Sequence, residues 1–446
     1  MFKVFILQMN IVEFLPLFVA VAGGFGCLFA GFRTLWRKRL IDDLPTSKTQ
    51  GAFIGLTELK GTAESDSPLT SYFAGKRCVY YSWDVEEHWS RTVTETYTDS
   101  KGHTQTRTRT ETGWTTVASG GQSIPFYLKD DTGIIRINPE GADITALTTF
   151  NYTCSPDDAL YYGKGPSDAV ADSTYERCFV ETAIPLHTML YIMGQARERR
   201  DVAAAEIAHD KNAEMFLIST KTEKQISTNY SILSWLWLIF GFCVAVGGVA
   251  VWNIMNEQHP EVNIKSLIIT AIAFIAAFLL GWIWTTYNSL INLHHMVERG
   301  WSQVDIQIKR RHDLIPNLES VVKGYRDHES RTQELLTELR AQANATPPGI
   351  AGDDYKGIST MLRAIVERNP DLKASENFLK LQEELVDTEQ RIALARDYFN
   401  NTAMFYNIRL GIIPDRFVAA LADLRPRALM SAADFERAPV EVKLAN

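Results

Sequence analysis

Residues 301–329 read W-S-Q-V-D-I-Q-I-K-R-R-H-D-L-I-P-N-L-E-S-V-V-K-G-Y-R-D-H-E and open a stretch that continues to Leu339. Its apolar side chains recur at 297, 301, 304, 308, 315, 318, 322, 325, 335 and 339. Steps of three and four put them on one face of a helical turn, so a long amphipathic helix is predicted. Pro316 alone interrupts the pattern. It has no N–H for the carbonyl of residue 312 and its ring crowds that carbonyl, so a bend is expected in the preceding turn. An apolar run ends at residue 285, just upstream, so the helix is expected to emerge directly from a membrane span. Nothing in the stretch has the spacing of a reaction centre.

The chain has 446 residues, 46% hydrophobic and 22% charged, which fits a multi-domain protein with both soluble and membrane parts. Its net charge of −8 argues against nucleic acid as a partner, because phosphate binding needs a concentrated basic face. Five cysteines, at 27, 78, 154, 178 and 243, show neither a C-x-x-C pair nor a Cys/His ligand spacing. No disulfide framework and no zinc site are expected, and the compartment is read as reducing.

Three apolar runs have the length of a membrane crossing. Residues 15–32 are uncharged and are followed by Arg33, Arg37, Lys38 and Arg39. Ala20-Val21-Ala22 mimics a signal-peptide cleavage site, but the apolar run continues past it and its positive charges lie on the wrong side. The basic flanks after the first span and before the second are assigned to the cytoplasm, and alternation puts residues 286–446 there too. Ala22/Gly26/Ala30, Gly241/Ala245 and Ala273/Ala277/Gly281 form ladders of small residues. Either they mark a packed transmembrane bundle, or they are chance in Ala- and Gly-rich spans.

Between the first two spans the pattern changes to period two with Gly-rich turns, which predicts a β-rich unit. Residues 79–83, 126–128, 134–137, 178–181, 189–194 and 215–218 are expected strands, with a hairpin turn at 130–133. Residues 89–117 differ from the rest. Threonine alternates with charged residues on both arms of a hairpin that has no apolar face, so the arms are expected to project into solvent. Glu95 and Glu111 are candidate partners of Arg91, Arg107 and Arg109. The hairpin is either an inert solvated arm or an edge that pairs with a neighbouring subunit.

The segments G-T-A-E-S (61–65), C-V-Y-Y-S-W-D-V-E (78–86), F-Y-L-K-D-D-T-G-I-I-R-I-N-P-E-G-A (126–142) and E-T-A-I-P-L-H-T-M-L-Y-I-M-G-Q-A-R (181–197) resemble the membrane-flanked domain of GIDE-type ubiquitin ligases. In that family a span and a RING finger follow. After Cys178 this chain has only Cys243, inside a span, so ligase activity does not carry over. The resemblance implies a β-rich domain beside a membrane that makes protein or ligand contacts.

Downstream of Leu339 the predicted helix continues to about 345, a shorter one covers 361–369, a second long one runs 374–410, and a last short one begins at 417. The two long helices are expected to bury their apolar stripes on each other as an antiparallel pair. W-S-Q-V-D-I-Q-I-K-R-R-H-D-L-I-P-N-L (301–318), V-K-G-Y-R-D-H-E (322–329), L-Q-E-E-L-V-D-T-E-Q-R-I-A-L-A-R-D-Y-F-N (381–400), Y-N (406–407) and P-V-E-V (439–442) strongly resemble the LemA family. That implies a membrane-anchored cytoplasmic helical bundle in a bacterium, from a family without an established catalytic activity. Ile412-Ile413-Pro414 departs from the Phe-Pro more usual there.

The architecture expected is a multi-domain membrane protein. It has transmembrane helices at 11–36, 231–252 and 265–285, a β-rich (α+β), barrel-like cytoplasmic domain at 45–230 and an all-α LemA helical bundle at 286–446. The residues expected to carry contacts are Trp301, Asp305, Arg310, Arg311, Asp313, Pro316, Asn317, Gly324, Tyr325 and Glu329 on the first long helix. Gln382, Glu389, Arg396 and Tyr406 are their counterparts on the second, with Thr94, Thr96, Arg107 and Arg109 on the hairpin. Arg310 and Arg311 are assigned to carboxylates among Glu383, Glu384, Asp387 and Glu389.

No catalytic residue, cofactor or metal is expected. His328-Glu329 lacks the second histidine of H-E-x-x-H, and adjacent His294 and His295 point too far apart to chelate one ion. The leading expectation is a non-enzymatic inner-membrane scaffold that homo-oligomerises, with lipids, itself and other membrane proteins as partners. One alternative is a membrane-proximal module that captures a lipid, peptide or partner protein, with a groove among Tyr80, Tyr81, Trp83 and Phe126. A more remote one is a ligase-like enzyme without its RING.

Overall fold

The computed structural model describes residues 11–98, 104–199, 205–211, 213, 215–255, 264–325 and 376–430. The chain divides into two compact units, Thr46–Thr222 and Met1–Pro45 together with Glu223–Asn446. Helices are α1 (Ile11–Asp43), α2 (Ala159–Gly163), α3 (Glu223–Met255), α4 (Ile264–Tyr325), α5 (Glu376–Gly411) and α6 (Asp415–Leu421).

The β-rich unit holds β1 (Thr46–Ser47), β2 (Gly55–Glu64), β3 (Leu69–Thr70), β4 (Arg77–Thr98), β5 (Thr104–Ser123), β6 (Phe126–Lys129), β7 (Ile134–Ile137), β8 (Asp143–Thr145), β9 (Leu147–Cys154), β10 (Ser173–Pro185), β11 (Met189–Glu198), β12 (Ala205–Ala208) and β13 (Leu217–Ser219). Strands β2, β6, β7, β12 and β11 neighbour one another in that order, and β11 also pairs with β2, which closes the ring. Closure removes free edges and lets alternate residues fill a small interior. Leu59, Phe126, Leu128, Ile137, Ile192 and Ile207 do so at 1% exposure or less. The expected turn at 130–133 connects β6 and β7, with Asp130 accepting from the N–H groups of Thr132 and Gly133 at 2.7 and 2.9 Å. Met215 and Phe216 precede β13 instead of joining it.

A second sheet runs β9-β10-β4, with β5 on β4. The last residue of β4 to pair with β10 is Trp89, opposite Ser173. From Ser90 to Thr98, β4 pairs with β5 alone. The two form a ribbon about 30 Å long at roughly 3.3 Å per residue.

The other unit contains three helices long and apolar enough to cross a membrane, within Leu15–Asp43, Glu223–Met255 and Ile264–Leu318. Helix α1 runs antiparallel to α3: Ala20 meets Gly248, Gly24 meets Ala245, Cys27 meets Gly241 and Gly31 meets Leu238. The seam on α1 is therefore Ala20/Gly24/Cys27/Gly31, which corrects the ladder expected at Ala22/Gly26/Ala30. Ala22 and Gly26 are exposed, and nothing approaches Gly26 within 4 Å. In a span this rich in small residues several four-residue ladders coexist, and only the partner helix selects one. Gly241/Ala245 does face α1, whereas on α4 only Gly281 of its ladder packs, against Phe32.

A Cβ on Gly241 falls 2.6 Å from the Cys27 Cβ. Gly241→Leu is therefore expected to cost about 1–3 kcal/mol through overpacking. Gly26→Leu should leave the detergent unfolding curve unchanged, and equal losses for the two variants would remove this seam.

Helix α4 continues from the third span through Pro316 to Tyr325 as one 62-residue element. The expected extension to 345 and the helix at 361–369 lie outside the described residues.

Candidate functional site

The apolar stripe anticipated on α4 is buried where its side chains are described, except at Trp301, which is half-buried. Val297, Val304, Ile308, Ile315 and Leu318 are 3% exposed or less. Their counterparts on α5 are Phe378, Leu385, Ile392, Phe399, Tyr406 and Leu410, all buried and spaced in sevens and a four. The helices run antiparallel. The His294 ring lies 5.5 Å from Tyr406, the Trp301 ring lies 5.8 Å from Phe399 edge-on, and Arg311 Nη1 lies 3.7 Å from Glu389 Oε1. Gly300 lies at this approach, where a Cβ would be in ordinary contact with the Phe399 backbone at 3.4 Å. Burial pushes the Tyr406 phenol above its usual value, partly offset by Arg427, so it stays neutral.

The charged band beside this seam divides. Arg311 is fully buried, whereas Arg310 is exposed and points away from the α5 carboxylates, which corrects its expected pairing. Adjacent helical positions diverge by about 100°, so only one of two neighbouring arginines faces the partner. Asp387 pairs with Arg391 on its own helix at 2.8 Å. Asp305, Gln382 and Arg396 are half-buried, and Asp313, Pro316 and Asn317 are exposed, with the Asn317 amide donating to the Asp313 carbonyl at 3.3 Å. Gly324 and Tyr325 end α4, with the surroundings of the Tyr325 side chain not described, and Glu329 lies outside the described residues.

Sequence reasoning missed the cluster where the first span meets this helix pair. Arg39 and Asp43 at the end of α1 are 9% and 6% exposed. Arg39 donates to Thr286 Oγ1 at 2.9 Å and lies 3.9 Å from Asp415. Asp43 accepts from Ser289 Oγ at 2.7 Å and from Arg409, and Arg409 Nε donates to Asp415 at 2.7 Å. One residue before Asp43, Asp42 accepts from Ser227 Oγ of α3 at 2.6 Å. Two arginines and two aspartates thus neutralise each other while joining α1, α4, α5 and α6. Buried charges of this kind persist only when paired and hydrogen-bonded. The residues that meet are hundreds of positions apart, and in sequence they look like an ordinary cytoplasmic basic flank.

On the ribbon, Thr94 and Thr96 are exposed opposite Thr108 and Thr106. Arg107 stands opposite Glu95. Glu111 accepts across the strands from Arg91 at 2.8 Å and along its own strand from Arg109. All of it is solvated, as the Thr/charge alternation requires.

Inside the second sheet lies another pair that the sequence did not announce. Arg177 and Glu87, both at 0% exposure, meet at 3.0 Å. Arg177 also donates to the carbonyls of Tyr161, Pro166 and Asp168 and lies over the Tyr161 ring. It therefore pins the 159–168 segment to the sheet.

The aromatic groove expected among Tyr80, Tyr81, Trp83 and Phe126 does not form. Phe126 belongs to the barrel core and Trp83 stacks on Tyr72 at 4.7 Å. What remains near Tyr80 and Tyr81 is a depression of about 350 Å³ lined largely by Ser82, Asp84, Ser119, Gln122 and Ser123. Burial, with Glu181 nearby, pushes the Cys78 thiol up to about 11, so it is protonated and unreactive at neutral pH. Among the described residues no three His, Cys, Asp or Glu side chains gather as a metal site.

Residues 300–444 match the LemA family. The carboxy-terminal part of this chain is a LemA domain. Residues 94–252, covering the ribbon, most of the barrel and α3, match the GIDE family, described as E3 Ubiquitin ligase. The chain is 25% identical over 159 residues to Protein LemA of Metamycoplasma hominis, covering 34% of this chain and 73% of the relative. It is 23% identical over 201 residues to Magnetosome protein MamQ of Magnetospirillum gryphiswaldense, covering 38% of this chain and 72% of the relative. No solved structure matches. Within the LemA domain, Arg409 and Asp415 are the residues that grip Arg39 and Asp43, which lie outside the matched segment.

Proposed function

We propose that this protein is a non-enzymatic scaffold of a bacterial inner membrane that assembles with copies of itself, with both soluble regions in the cytoplasm. The observation that carries the proposal is the β4–β5 ribbon. A two-stranded ribbon without an apolar face is marginal in water by itself, and both its edges offer unpaired backbone groups. Edge-to-edge pairing with a neighbouring copy satisfies them. The buried helix pair and its charge cluster fit the same role, since they fasten the LemA domain to its spans and make a stiff post.

Alternation and the basic flank at Arg33 and Arg37 support the cytoplasmic assignment. The sequence holds no RING-type Cys/His ligand set, so the GIDE-type region is not read as a ligase.

The test is the mass of the detergent-extracted particle by light scattering. A multimer is expected for the whole chain, and deletion of 92–112 should reduce it. A monomer in both cases would end the scaffold proposal.

A further inference from the structure

Helix α6 and the turn before it carry large apolar side chains where a cytoplasmic helix ought to be polar. Ile413, in the turn before the helix, and Phe417 and Leu421, four apart on one face of it, are 67%, 62% and 86% exposed. Arg416 is exposed beside them, while Val418, Ala419 and Asp415 face the protein. Such a short, one-sided apolar face with a flanking cation has the composition of a segment that lies in a membrane interface.

The depth of α6 agrees. Phe32 is the last uncharged residue of the first span before Arg33, and it stacks on Phe278 at 5.9 Å and covers Gly281. The cytoplasmic boundary of the hydrocarbon therefore crosses α4 near Gly281. An apolar cleft of about 470 Å³ opens at this level between Leu280, Ile283, Trp284 and Tyr287 of α4 and Val418 and Leu421 of α6. Leu280 sits inside the boundary, and Trp284 and Tyr287 fall about one and two turns beyond it, where aromatic side chains favour the headgroup region. The cleft shares its α4 wall with the outer face of the span, where Ile272, Leu279 and Leu280 are exposed. That face meets acyl chains, so the cleft is continuous with the bilayer.

We propose that α6 is an interfacial anchor: Ile413, Phe417 and Leu421 enter the cytoplasmic leaflet, and a lipid acyl chain fills the cleft between α6 and α4. The LemA domain then contacts the membrane at a second place besides its span, and Arg39, Asp43, Arg409 and Asp415 hold α6 at the required depth. This holds whether or not the protein multimerises.

The test uses the full chain with its native cysteines replaced, in phospholipid nanodiscs. Nitroxide labels are placed singly by Phe417→Cys, and by Leu421→Cys in case the first variant does not assemble. Phe25→Cys serves as the buried-in-lipid reference and Arg425→Cys as the aqueous one. The accessibility to dissolved oxygen relative to a water-soluble nickel chelate is expected to lie between those of mid-span position 25 and aqueous position 425, well above the latter. A nickel-accessible label at 417 or 421 overturns the proposal. So does a label shielded from both reagents and broadened by a second spin, which assigns the face to another copy of the chain.

Discussion

Arg177→Ala lowers the stability of the β-rich unit by about 3–5 kcal/mol, the cost of breaking one side of a fully buried ion pair. Glu87 is at 0% exposure and receives two guanidinium hydrogen bonds, at 3.1 and 3.0 Å. Without the arginine its charge has no route to water. The carbonyls of Tyr161, Pro166 and Asp168 lose their shared donor at the same time. Replacing both charges, Arg177→Met with Glu87→Leu, should recover part of the loss but not all, because those carbonyls stay unanswered. Urea unfolding followed by tryptophan fluorescence reads it directly. A single variant within about 0.5 kcal/mol of the parent, the range of ordinary surface changes, would mean that water reaches Glu87.

Two adjacent arginines should behave in opposite ways. Arg311→Ala is expected to cost about 2–3 kcal/mol, below the usual loss for a buried pair because Glu389 is partly exposed and rehydrates. The buried side chain also contributes its methylene stem to the seam between Ile308 and Ile315. Arg310→Ala should stay within about 0.5 kcal/mol, as an exposed helix position does. Thermal unfolding followed by far-ultraviolet circular dichroism of the detergent-solubilised protein separates the two. Equal effects would place both side chains in the same environment and contradict the packing of α4 on α5.

These two cases also mark what could be read in advance. The α4 stripe was legible because burying one helical face imposes a periodicity that needs no knowledge of the partner. The ribbon was legible for the opposite reason: Thr alternating with charge leaves neither face able to join a core. Arg310 and Arg311 are indistinguishable as letters, and only the rotation of α4 against α5 separates them. The ladder in the first span failed for the same reason, since Ala22/Gly26/Ala30 and Ala20/Gly24/Cys27/Gly31 both satisfy a small-residue rule.

From the chain alone came the elements themselves: three membrane-length apolar runs, a β-rich insertion between the first two, and two long amphipathic helices with their stripes. These follow from local periodicity and from the length needed to cross a bilayer, which are properties of consecutive residues. The tertiary structure alone decided the closed ring of β2, β6, β7, β12 and β11, the Glu87–Arg177 pair, and the meeting of Arg39, Asp43, Arg409 and Asp415 at the membrane edge. Each of these joins positions far apart in the chain, and whether a charge is solvated or paired depends on what burial brings beside it.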